Sequence, residues 1–195
     1  MVSKMSEIRV DKVSPKSGTS LTIGDSGDTI TIPSGATIAN SGTATGFGGD
    51  NTPAWHARKS SSQNMNSGAE TVITFDTEIV DTDSAYDTSN GKFTVPSGEG
   101  GKYFVYAQLM RNNYTGGRFI TKVNVGGTQV LSAEMRNSDS GGTTFDTVSV
   151  SGILDLSAGN EVTCSLFQNA ADDSGVNGDS GGSKSFFMGF KLIGV

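Results

Sequence analysis

The sequence predicts an all-β protein whose larger part is a sandwich or jelly roll. Three observations point there. Gly supplies 27 of 195 residues, Ser and Thr together about a quarter, and charged residues only 17%, a composition of turns and strands. From Ala54 onward, runs of strand composition follow one another between turn signals. No window carries a convincing helical period. The glycine excess is not collagen, because Gly does not recur at every third position and there are only 4 Pro.

Residues 1–20 mix charge with scattered apolar positions, Ile8, Val10 and Val13, and are read as an N-terminal attachment arm. Residues 21–52 change character. Short Thr/Ile pieces alternate with Gly/Ser/Asn turns, and Leu21 with Ile23, then Ile30 with Ile32, stand two apart. Each tiny strand offers one apolar face with little to cover it. Two or three such strands are marginal in water, so the pattern predicts a β-rich stem in which several copies bury Ile23, Ile30, Ile32 and Ile38 against one another. A flexible linker has no use for Ile at period two. Gly46 to Pro53 reads as the hinge.

Residues 53–195 form the head. Strands are expected over 71–80, 91–95, 101–111, 118–125, 128–136, 147–156, 161–169 and 185–193. Gly126-Gly127 and Ala158-Gly159-Asn160 mark tight turns between them. Val148, Val150, Gly152, Leu154 and Leu156 share one face, and Phe186, Met188, Phe190 and Leu192 share another; both are assigned to the core. Some strands are apolar on both sides. Tyr103, Val105, Ala107 and Leu109 oppose Phe104, Tyr106 and Met110, and Phe187 opposes the Phe186 series. A lone sandwich needs one such face, so self-association is expected, with Tyr103, Val105, Phe187 and Phe190 assigned to core or subunit interface.

Several of these residues carry a resemblance. Tyr86-Asp87, Gly91, Phe93, Pro96 and Gly101-Lys102-Tyr103 resemble the signature of the C1q-like heads of the complement and tumour-necrosis-factor superfamily. Trp55-His56-Ala57-Arg58 is similar to the opening of the family's first strand, and Thr74-Phe75-Asp76 to the Phe-Asp before the signature. The stretch from Ser151 to Val162 resembles its leucine-rich strand and turn, and Phe186 to Ile193 its closing aromatic-Gly-aromatic strand. Asn90 stands where the family usually has Thr, Val105 replaces an aromatic, and Ser97-Gly98-Glu99-Gly100 lengthens a loop. The resemblance implies a ten-strand C1q/TNF-like jelly roll packed as a homotrimer. The stem from Ile23 to Ile38 instead resembles segments of fibre and other structural proteins of tailed bacteriophages.

Charge and composition narrow the function. A net charge of −6 and a pI of about 4.7 disfavour binding to nucleic acid and to anionic membranes. The longest apolar stretches fall far short of the ~20 residues that cross a bilayer, so no membrane insertion is expected. The first ten residues lack an apolar secretory core, so synthesis in a host cytoplasm is expected. Cys164 is the lone cysteine, allows no internal disulfide, and reads as a small buried apolar residue.

The candidate sites are few. His56 is the single histidine, beside Trp55 in the first strand, which leaves no partner set for a catalytic triad. Asp172 and Asp173 are adjacent, so their side chains diverge and do not form the facing carboxylates of a polysaccharide hydrolase. No enzyme activity and no cofactor are expected. Asp172, Asp173 and Asp179 gather hard oxygen donors in one loop, where calcium is the candidate metal. Arg111, Asn113, Tyr114 and Arg118 combine Tyr, Arg and amide groups in a loop expected to be exposed, a mix suited to receptor recognition. Together these features predict a virion protein: a trimeric fibre or appendage whose arm meets other virion proteins and whose head binds a host-surface glycan or protein. The rivals are a purely architectural capsid or tail decoration and a cellular C1q-like adhesion module.

Overall fold

The computed structural model describes residues 11–39, 41, 51–112, 116–137, 146–170, 175–182 and 184–193. The chain divides into two compact units, Met1–Thr45 and Gly46–Val195.

In the first unit, residues 11–39 contain turns and no strand. The Asp28 amide donates to the Asp25 carbonyl, and the Asp28 carboxylate accepts from the Asp25 amide at 2.8 Å. A second turn closes where the Ala36 amide donates to the Pro33 carbonyl. Among the described stem residues, 21–39 and 41, the single chain forms turns and no strand. Ile23, Ile30, Ile32 and Ile38 are between 47% and 64% exposed, and short apolar strands without a neighbour have nothing to hydrogen-bond to.

The second unit is all-β. Its strands among the described residues are β1 (Ala54–Arg58), β2 (Gln63–Asn64), β3 (Glu70–Val72), β4 (Thr77–Asp81), β5 (Tyr86–Asp87), β6 (Lys92–Thr94), β7 (Gly101–Asn112), β8 (Gly117–Val125), β9 (Thr128–Asn137), β10 (Thr147–Leu156), β11 (Glu161–Gln168), β12 (Gly175–Val176) and β13 (Phe186–Lys191). They form two antiparallel sheets. One runs β2-β12-β7-β13-β1-β4 with β10 also on β7; the other runs β5-β6-β11-β8-β9 with β3 also on β11. The long strands fall where the sequence placed them. The run 71–80 divides, because β3 pairs with β11 in one sheet and β4 with β1 in the other, while Ile73 and Phe75 between them are fully buried. β12 lies inside the segment read as a loop, and its Gly175 packs so tightly on the Gln63 backbone that a Cβ would overlap it.

The core lies between the sheets. Trp55, Phe75, Phe93, Tyr103, Phe119, Phe187, Leu109 and Leu166 are all 1% exposed or less. Cys164 is buried among them, and burial pushes its thiol pKa far up, as expected of an inert packing residue. The alternation of β10 holds, since Val148 and Leu156 are buried while Ile153 on the other face is 62% exposed.

The signature residues have physical roles here. The Asp87 carboxylate accepts from the Ser89 amide at 2.8 Å and from Asn90 Nδ2 at 2.6 Å, while Asn90 Oδ1 accepts from the Lys92 amide. Asn90 thus serves the turn directly. Gly91 has φ of +71°, and a Cβ there would overlap the Ile73 carbonyl oxygen, so a side chain is excluded both by conformation and by space. The Tyr103 hydroxyl donates to the Glu99 carbonyl at 2.6 Å, tying the lengthened loop to β7.

Candidate assembly interface

A two-sheet sandwich has two outer faces, and in this one they differ in character. On the six-stranded sheet the outer face is polar. Lys122 Nζ pairs with Glu70 at 2.5 Å, Ser165 Oγ donates to Glu70 at 2.7 Å, and Asn124 Nδ2 donates to Ser165 Oγ at 2.8 Å. Apolar side chains share that face, Val72 opposite Ser165 and Phe167 opposite Ile120, but the polar network runs between them.

The outer face of the seven-stranded sheet is aromatic. Strand register lays its side chains in rows across β10, β7, β13, β1 and β4. The first row is Ile153, Phe104, Phe190 and Ala54; the second is Ser151, Tyr106, Met188, His56 and Val80; the third is Ser149, Gln108, Phe186, Arg58 and Thr77. Phe104 and Phe190 are tilted rings 5.5 Å apart, and Tyr106 stacks on Phe186 at the same separation. Phe104, Tyr106, Phe186, Met188 and Phe190 are half-buried, and Val80 is exposed. Single exposed apolar residues are ordinary; here Phe104 and Tyr106 on β7 and Phe186, Met188 and Phe190 on β13 form one contiguous half-exposed patch, with Ile153 and Val80 on the flanking strands.

The side of β13 that faces inward is set by one residue pair. A Cβ on Gly189 would lie within the Trp55 ring, so the large indole requires glycine opposite and brings Phe187 to the core with it. The Phe186, Met188 and Phe190 series, assigned from the sequence to the core, consequently faces outward. Of the four residues assigned to core or interface, Tyr103, Val105 and Phe187 belong to the core of the single chain and Phe190 alone lies on the aromatic outer face.

His56 sits in the middle row of this face, half-buried, its ring edge-on to Phe186 at 5.5 Å. Its Nε2 is buried without a hydrogen-bond partner. Burial, and then the Arg58 guanidinium, lower its pKa below the ordinary 6.5.

The recognition loop comes out differently from the sequence reading. Arg111 is fully buried and continues the inward row of Leu109; its Nη2 donates to the Gly116 carbonyl at 2.8 Å and its guanidinium lies 5.1 Å from the Phe119 ring centre. It is a core residue, not an exposed receptor contact. Arg118 is held by Glu134 through two bonds of 2.8 Å and lies 5.9 Å from the Phe167 ring centre. Arg118 and then Arg136 pull the Glu134 carboxyl down to about 2. Asn113 and Tyr114 lie outside the described residues, as do Asp172 and Asp173 of the candidate metal set. Asp179 is half-buried, and its amide donates to the Lys59 carbonyl. Among the described residues, no three His, Cys, Asp or Glu side chains converge.

The strand ends that flank these loops do converge. Gly117 pairs with Asn137, Thr147 with Met110, and Gly175 with Asn112. One end of the sandwich therefore launches the segments 113–115, 138–145 and 171–174.

The C1q domain family profile matches residues 54–192. No curated protein matches the chain. Among solved structures, the globular domain of zebrafish complement 1qA protein is similar, at 18% identity over 72% of this chain and 98% of that one, with a TM-score of 0.49. With a two-sheet antiparallel fold in place and the family profile spanning most of its length, the chain belongs to the C1q domain family.

Proposed function

We propose that this chain is a non-enzymatic structural protein of a tailed-bacteriophage particle, a homotrimeric fibre or appendage whose C1q head binds a receptor on the host surface. C1q domains are recognition and structural modules that form trimers and bind ligands. The observation that carries the homotrimer is the aromatic outer face of the seven-stranded sheet, which a second and third copy would remove from water. The exposed Ile23, Ile30, Ile32 and Ile38 fit the same stoichiometry, because three stems wound together would cover what one leaves wet.

The virion assignment rests on the stem, whose text from Ile23 to Ile38 resembles bacteriophage fibre segments. In this reading the N-terminal arm meets other virion proteins, and the end of the sandwich that launches segments 113–115, 138–145 and 171–174 is displayed to a host glycan or protein. Repetition of weak sites on one trimer and on many trimers raises apparent affinity about 10² to 10⁴-fold, so no deep pocket is required.

A second reading, a purely architectural decoration of capsid or tail, is favoured by the loop residues themselves. Arg111 is buried and Arg118 is occupied by Glu134, so two of the four receptor candidates are already committed within the chain. Adsorption competition separates the readings. Purified full-length protein that lowers particle adsorption to host cells supports receptor binding; intact trimer that leaves adsorption unchanged assigns the architectural role.

A further inference from the structure

We propose that His56 makes self-association of the head acid-sensitive, so that the subunits separate as the surroundings fall from neutral to about pH 5. This rests on the reading of the aromatic outer face as the contact between copies.

The placement is specific. His56 occupies the central row of that face, flanked in register by Met188 on β13 and Val80 on β4, with Tyr106 one strand further and the Phe186 ring at 5.5 Å. The surroundings are apolar, and Nε2 has no acceptor or donor within the chain. Neutral imidazole tolerates such a site, but imidazolium does not, since a buried charge without a partner costs several kcal/mol.

No neighbouring group offsets that charge. On the same strand, Arg58 is positive and opposes protonation. On β4 the carboxylates are Glu78 and Asp81, opposite Ala57 and Trp55 in the register rather than opposite His56, and Asp81 accepts from the Ala85 and Tyr86 amides. On β13 the one charged side chain is Lys191, opposite Tyr103 on β7, and it pairs with Glu99. On β7, the outward groups in the neighbouring positions are Tyr106 and Gln108, neither charged at neutral pH.

The sign follows from linkage. In the free subunit the imidazole is half-exposed and its pKa already lies below 6.5. Contact with another copy buries it further and lowers the pKa again, so the assembled state binds fewer protons. Association is then full above the free-subunit pKa and weakens as pH falls below it. A histidine at the ordinary value and wholly excluded from protonation in the assembly would lose about 30-fold per chain at pH 5.0, cubed over three chains. The lowered starting point reduces this, and a fall of roughly tenfold or more in the association constant remains the expectation, so the chain concentration is set just above the pH 7.5 midpoint of association, where such a fall leaves mostly single chains.

The test is sedimentation of the full chain at pH 7.5 and pH 5.0, for the wild type and for His56→Gln and His56→Phe, with the peroxide oxidation rate of Met188 read in parallel. Met188 lies in the same row, so oxidation reports whether the face is covered. Far-UV circular dichroism at both pH values checks that the strands persist. The expected result is a wild-type assembly at pH 7.5 with Met188 protected, dissociation with Met188 oxidised at pH 5.0, and variants that stay assembled and protected at both. A wild type still assembled and protected at pH 5.0, or variants that dissociate alongside it, overturns the role of His56 while leaving the assembly standing. Single chains at pH 7.5 overturn the assembly reading and this inference together.

Discussion

The Trp55 indole lies flat against the Phe93 ring, with centroids 3.8 Å apart and planes 12° from parallel. One ring belongs to β1 of the seven-stranded sheet and the other to β6 of the six-stranded sheet, so this stack joins the two layers. Phe187 meets Trp55 edge-on at 5.5 Å and Phe75 at 5.9 Å, extending the contact along the core.

Gly189 is what makes room for that stack. Gly189→Ala forces a methyl group into the Trp55 ring, and overpacking of this kind costs roughly 1–3 kcal/mol. Chemical denaturation followed by Trp55 emission is expected to show the loss, with an unchanged denaturant slope.

Gly91→Ala acts through a different mechanism, combining a positive φ with contact on the Ile73 carbonyl. A destabilisation of about 2 kcal/mol or more is expected in the same assay. A neutral result would mean that the turn between β5 and β6 can reshape.

The Lys59–Asp76 pair sets an acid limit on the head. Lys59 is nearly buried and its ammonium reaches the Thr74 carbonyl at 2.8 Å and Asp76 at 3.1 Å. Burial alone would raise the Asp76 pKa, but the Ser60 amide and hydroxyl and the Lys59 ammonium hold it down to about 2. The folded value is below the unfolded one, so Asp76 stabilises the fold fully above pH 3.8 and less as pH falls through about 2. Thermal melts of wild type and Asp76→Asn should differ by a constant amount down to about pH 4 and converge toward pH 2.

Arg111 and Arg118 should part company on substitution. Arg111→Ala removes a fully buried guanidinium and is expected to cost about 2–4 kcal/mol, whereas Arg118→Ala on the surface should leave the melting temperature nearly unchanged. Equal, small effects from both would contradict the buried position of Arg111.

Much of this was legible in the residues. Strand positions followed from alternation and turn chemistry, and the motifs around Tyr86, Gly91 and Tyr103 pointed to the family now matched over 54–192. The facing of β13 was not, because Phe stands on both of its sides; the deciding signal was the bulk of Trp55 against Gly189, a tertiary contact. Arg111 was misread as a loop residue although it shares the parity of Tyr103, Val105, Ala107 and Leu109, and that period carried it into the core. At Ile30 and Ile32 period two did not give a strand in the single chain: residues 11–39 hold turns, and both side chains are exposed.

Charge placed in the aromatic face should break the assembly without unfolding the subunit. Met188→Lys sets an ammonium in the central row opposite His56 and on the same face as Arg58, with no carboxylate in that row to pair with, half-exposed in one chain and covered in the proposed assembly. An unpartnered buried charge costs about 3 kcal/mol or more in each copy, enough to leave single chains at micromolar concentration with normal circular dichroism.

Sedimentation equilibrium of the wild-type chain at micromolar concentration and neutral pH bears on the aromatic face most directly. Association through Phe104, Tyr106, Phe186, Met188 and Phe190 predicts a mass three times the 20.1 kDa of one chain. A soluble, stable species at the mass of a single chain would contradict it.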